Sequence, residues 1–118
     1  MTRHVAVVGA GLIGRAWTIS FARGGRDVVL WDVLPGMAEE TRHQIPTLLE
    51  GLKEQDLLEG QSVDEVFQRI SATDDLSQAL QGAIHVQENA PEKLDVKKEL
   101  FAKLDAHTPE DAVIASSS

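Results

Sequence analysis

HVAVVGAGLIG, residues 4–14, followed by VVLWD, residues 28–32, is the stretch whose reading decides the fold. Val5, Ala6, Val7 and Val8 form an apolar run that suits a parallel strand buried on both faces, and the run stops at Gly9. Gly9, Gly11 and Gly14 take the three glycine positions of GxGxxG. The first allows a tight turn, the second close approach of a pyrophosphate, the third close helix packing. From Ile13 the spacing predicts a helix whose packed arc holds Ile13, Ala16, Trp17, Ser20 and Phe21, leaving Arg15, Thr18 and Ala22 outside. Gly24 and Gly25 supply its stop. Such a helix turns its unpaired N–H groups and positive dipole end toward whatever lies over the loop. Asp32 ends the second apolar run, eighteen residues after Gly14. There a carboxylate can accept both ribose hydroxyls of an adenosine, and it would repel a 2′-phosphate. No Arg follows at 33–36, so the cofactor read from these residues is NAD rather than NADP. A lone GxGxxG is weak, because glycine loops match it by chance. Here the strand before, the helix after, the second strand and its terminal acid all agree.

The rest of the composition narrows the class. A chain of 118 residues holds one ordinary core and is too short for two, so 1–118 is read as one domain or part of one. It carries 19 Asp and Glu against 11 Lys and Arg, with no basic stretch to track a phosphate backbone, which argues against nucleic acid as a partner. Without cysteine there is neither a disulfide framework nor a thiolate site, and His4, His43, His85 and His107 lack metal-ligand spacing. No apolar run reaches membrane-spanning length, and MTRHVAVVG enters the first strand too early for a signal peptide. A soluble, cytoplasmic protein is the expectation.

Along the chain, Pro35 opens a helix that runs toward Leu52, with a kink or break expected near Ile45 because Pro46 removes a ladder bond. Residues 53–60 read as a polar continuation and turn. Ser62 and Glu65 have capping-box spacing for a short helix over 63–69. A third strand over 70–73, a brief helix over 74–80 ending at Gly82, a fourth strand over 83–87, a helix over 91–106 and a fifth strand, AVIA, within 111–116 complete the order. Strands alternating with helices predict an α/β fold, a Rossmann-type doubly wound parallel sheet of five strands. The AVIA edge would be free to pair, so self-association is expected.

Periodicity puts Lys97 in the middle of a stripe made by Leu94, Leu100, Phe101 and Leu104. Taken alone, snorkelling explains it, and first-turn placement explains Glu92. His85 reads as a hydrogen-bonded core histidine, Trp17 and Trp31 as core residues. Ser116, Ser117 and Ser118 follow the last strand, where open α/β sheets place their ligands.

The blocks VAVVGAGLIGRAW, FARGGRDVVLWD, AIHVQENAPEKLDVKKELFAKLD and VIASSS, spread nearly end to end, carry a resemblance. The chain resembles the N-terminal part of the L-3-hydroxyacyl-CoA dehydrogenases, on the branch of lambda-crystallin, an L-gulonate 3-dehydrogenase. The third block, with its QExxPExLxxKKxxFxxLD pattern, is the diagnostic one. The resemblance implies cofactor contacts from Leu12 and Ile13 between the glycines, from Asp32, and from Glu92 and Lys97, which reverses the weighting of the last two. It implies a helical insertion between strands 2 and 3 over 35–69, and a substrate-adjacent place for Ser117 and Ser118. It further implies that the family's base, a histidine in an HxxNP segment, its orienting glutamate and its helical C-terminal domain lie beyond Ser118. The chain by itself would then bind NAD without catalysing the oxidation of a 3-hydroxyacyl-CoA or related hydroxy acid. A homo-oligomer is expected of the parent. The alternatives are a non-enzymatic, crystallin-like NAD-binding protein and a sugar-acid or carnitine dehydrogenase.

Overall fold

The computed structural model describes residues 3–89 and 94–116, leaving aside the side chains of 94–97 and 101. Its elements are β1(His4–Val8), α1(Leu12–Arg23), β2(Val28–Trp31), α2(Met37–Glu54), α3(Val63–Phe67), β3(Ile70–Ala72), α4(Leu76–Leu80), β4(Ala83–Glu88), α5(Leu94–His107) and β5(Val113–Ser116). The five strands pair in parallel in the order β3-β2-β1-β4-β5. This is the expected doubly wound sheet, with α2 and α3 as the helical insertion between β2 and β3. Every residue of β1 is buried because alternate residues feed opposite cores. Val5 and Val7 join Leu30, Ile45 and Leu49 on one face, while Ala6 and Val8 join Leu80, Leu100 and Leu104 on the other.

The packed face of α1 is not the one its apolar residues suggest. Gly14, Thr18 and Ala22 are buried, whereas Ile13 is 56% and Trp17 37% exposed. Volume decides: a helix held this close to β1 accepts only small side chains at i, i+4 and i+8. A Cβ on Gly14 would stand 1.7 Å from the Gly9 carbonyl oxygen. Trp17 instead stacks on Phe21, and Phe21 in turn lies against His85, ring centroids 5.5 Å apart in both pairs. Trp31 does sit in the core and donates its indole N–H to the Asp74 carbonyl.

Pro46 does not break α2, which runs unbroken from Met37 to Glu54. Burial of Ala38, Thr41, Ile45 and Leu49 holds the helix on the sheet through the missing ladder bond. Pro46→Ala is therefore expected to raise stability by about 1–3 kcal/mol, read as a shifted urea midpoint with unchanged slope. Ser62 and Glu65 form the anticipated capping box on α3. Leu58, in the segment expected to be a polar turn, is buried. Asp75 caps α4. Hydrogen bonding from the Ser77 side chain is the main cause of its carboxyl lying below the ordinary value of 3.8.

Candidate functional site

Strand register collects the first residues beyond the strands along one edge. Val8 lies opposite Trp31 on one side and Glu88 on the other, and Glu88 lies opposite Ser116. Gly9, Asp32 and Asn89 therefore stand side by side where the chain leaves the sheet. The strand order reverses between β1 and β4, so this edge is the switch point at which open α/β sheets take ligands.

The glycines divide into two kinds. Gly9 has φ 108°, which side chains rarely adopt, and its N–H donates to the Trp31 carbonyl at 2.7 Å. Gly14 is demanded by the backbone contact already described. Gly11 is different: its φ is −71° and a Cβ there would meet nothing within 4 Å. Nothing among the described residues requires a glycine at that position, whereas a ligand approaching the backbone would. Gly11 is also the N-cap of α1, which has no side-chain cap and no acidic residue in its first turn. The helix thus offers an open, uncompensated N-terminus to an anion.

Asp32 borders this cradle, half-buried. Its Oδ2 accepts the Ala10 N–H at 2.7 Å and its Oδ1 accepts the Leu34 N–H at 2.9 Å. Each carboxylate oxygen keeps a further lone pair for a hydroxyl donor. Leu12, Ile13, Val33 and Leu34 are more than half exposed around the same loop, an apolar rim for a bound group. Sequence reasoning passed over Val33 and Leu34 except to note that neither is Arg.

Two further residues at this edge were missed. Thr41, buried in α2, donates its hydroxyl to the Ala10 carbonyl at 2.8 Å. Its place between Ala38 and Ile45 on the buried stripe of α2 was the available signal. Asn89 donates its backbone N–H to the Val8 carbonyl, and its side chain packs against Gly14. Its Oδ1 is buried and has no hydrogen-bond partner among the described residues.

Of the other sequence candidates, Glu92, Ser117 and Ser118 lie outside the described residues, and Lys97 lies in α5 without a described side chain. His85 is half-buried in mid-strand, its Nε2 3.1 Å from Gln87 Oε1, and His4 Nε2 donates to the Ala79 carbonyl. Glu88, fully buried, accepts the Ser116 hydroxyl at 3.1 Å and so ties the ends of β4 and β5 together. Among the described residues, no group of three or more His, Cys, Asp or Glu could hold a metal ion, and no helix is long and apolar enough to cross a membrane.

Comparison with known proteins agrees with this geometry. Residues 4–118 match the family model described as 3-hydroxyacyl-CoA dehydrogenase, NAD binding domain. The chain belongs to that family. Its cofactor is NAD. L-carnitine dehydrogenase of Streptomyces coelicolor is 45% identical over 116 residues, 98% of this chain and 35% of that protein. Lambda-crystallin of Oryctolagus cuniculus is 37% identical over 115 residues, 97% of this chain and 36% of that protein. The chain thus spans about a third of the length of these curated relatives. The crystal structure of 3-hydroxybutyryl-CoA dehydrogenase from Escherichia coli K12 superposes with a TM-score of 0.87 at 27% identity, covering 100% of this chain and 25% of that one.

Proposed function

We propose that this chain is the cofactor-binding part of an NAD-dependent dehydrogenase that oxidises the 3-hydroxyl of an L-3-hydroxyacyl-CoA or of a small hydroxy acid. One observation carries the NAD reading: the empty space around Gly11 at the uncapped start of α1, bordered by the Asp32 carboxylate. The N–H groups of α1 hold the pyrophosphate there, Asp32 takes the adenosine ribose, and Leu12 and Ile13 cover the bound group. By resemblance, Glu92 and Lys97 would also contact the cofactor, and Ser117 and Ser118 would be substrate-adjacent. NAD held by these residues would supply the hydride acceptor for the carbon that bears the hydroxyl.

Among the described residues of this edge we assign no base for the hydroxyl proton. His4 and His85 belong to the strands, hydrogen-bonded within the chain. By the resemblance, which puts the family's base in an HxxNP segment that residues 1–118 do not contain, the chain alone is expected to bind NAD and to turn over nothing. The 45% identity to an L-carnitine dehydrogenase favours a small hydroxy acid over an acyl-CoA as substrate. Calorimetric titration with NAD and NADP tests the cofactor reading. NADH formation with L-carnitine, L-gulonate and L-3-hydroxybutyryl-CoA, assayed on the protein that the gene encodes, tests the substrate. NADP binding as tight as NAD would overturn the first reading, and turnover of none of the three would overturn the second.

A further inference from the structure

Ala10 is held from two sides. Asp32 accepts its N–H at 2.7 Å, and Thr41 donates to its carbonyl at 2.8 Å. The first contact joins neighbouring strand ends, but the second reaches across 31 residues from the second turn of α2. A helical threonine ordinarily returns its hydroxyl to a carbonyl one turn back, as Thr18 does to Gly14 at 2.8 Å. Thr41 gives its hydroxyl to the glycine loop instead, while 3% exposed. The Ala10 carbonyl it serves belongs to the peptide whose other end is the Gly11 N–H. In a trans peptide those two groups point in opposite directions. A carbonyl latched inward onto α2 therefore turns the Gly11 N–H outward, over the open space where a Cβ would meet nothing. A glycine at the next position leaves that peptide free to rotate unless something holds it.

We propose that Thr41 is a positioning residue: its hydroxyl latches the Ala10 carbonyl so that the Gly11 N–H is aimed at the cofactor pyrophosphate. The inference rests on the NAD reading and deepens it, for it adds a side chain from α2 behind the backbone donors of the glycine loop. A latched donor meets the anion without first reorganising, and the gain appears in affinity for the pyrophosphate.

The experiment compares the parent chain with Thr41→Val, which keeps the shape and loses the hydroxyl, and with Thr41→Ser, which keeps the hydroxyl. Calorimetric titration with NAD is expected to give a dissociation constant about tenfold higher for Thr41→Val, restored to within about twofold by Thr41→Ser. A lower melting temperature for Thr41→Val with unchanged NAD affinity would show a purely structural threonine and overturn the proposal. A second measurement needs no variant: in the parent, saturating NAD should move the Gly11 amide resonance among the largest shifts in a proton–nitrogen spectrum. An unmoved Gly11 amide would overturn the latch even if Thr41→Val failed to fold. A parent that binds no NAD would instead bring down the cofactor reading and the latch with it.

Discussion

Gly14→Ala is expected to abolish NAD binding and to lower the thermal midpoint by about 10 °C or more, while Gly11→Ala should melt close to the parent and lose only affinity. The new Cβ at position 14 would lie 1.7 Å from the Gly9 carbonyl oxygen and 2.8 Å from its carbon, so backbone must move. Overpacking of this sort costs about 3 kcal/mol or more, which for a domain of this size is roughly that fall in melting temperature. Because Gly9 anchors the loop through its N–H to Trp31, the displacement reaches the edge of β2 and the Asp32 carboxylate behind it. At Gly11 the same methyl meets nothing, and φ of −71° is open to alanine. Only a group lying over the loop would feel it, so NAD affinity should fall at least about tenfold with a stability change within about 1 kcal/mol. Differential scanning calorimetry and NAD titration on the two variants separate what the fold requires of the glycines from what the ligand requires. Equal stability loss in both would contradict this division.

The second large effect is expected at Asp32. Asp32→Ala removes the proposed acceptor for the ribose hydroxyls, and hydrogen bonds to a charged group are worth about 2 kcal/mol, so NAD affinity should drop roughly thirtyfold. The preference for NAD over NADP should shrink at the same time, because the charge that opposes a 2′-phosphate is gone. The structure adds a complication. Asp32 also accepts the Ala10 and Leu34 N–H groups through separate oxygens, so the variant loosens the loop as well as the ribose site. Asp32→Asn cannot rescue both contacts, since an amide presents one acceptor and one donor where two acceptors are needed. Both variants should therefore lose NAD affinity, and neither should gain NADP affinity to the level at which the parent binds NAD. Parallel titrations with the two dinucleotides check this. Unchanged NAD binding by Asp32→Ala would remove Asp32 from the site.

Much of the fold could be read in advance because its signals are local. The strand ends at Gly9, the capping box at Ser62 and Glu65, and the alternation of short apolar runs with amphipathic segments all act over a few residues. What misled was apolarity taken as a measure of burial. On α1 the large residues Ile13 and Trp17 face outward because proximity to β1 admits only Gly14, Thr18 and Ala22. Pro46 leaves α2 unbroken, since one lost ladder bond is outweighed by the buried stripe on either side of it.

The sequence alone determined the order of elements, the doubly wound class, the glycine loop with an acid just beyond β2, and NAD as the cofactor. Each of these depends on residue type at fixed spacing along one stretch of chain. Only the tertiary structure decided which glycine the fold demands and which stands in open space, and that Asp32 accepts the Ala10 N–H and so holds the loop. It alone brought Thr41 from α2 onto the Ala10 carbonyl. Those facts depend on distances between segments far apart in the chain, set by how closely α1 and α2 settle on the sheet, and no local pattern encodes such a distance.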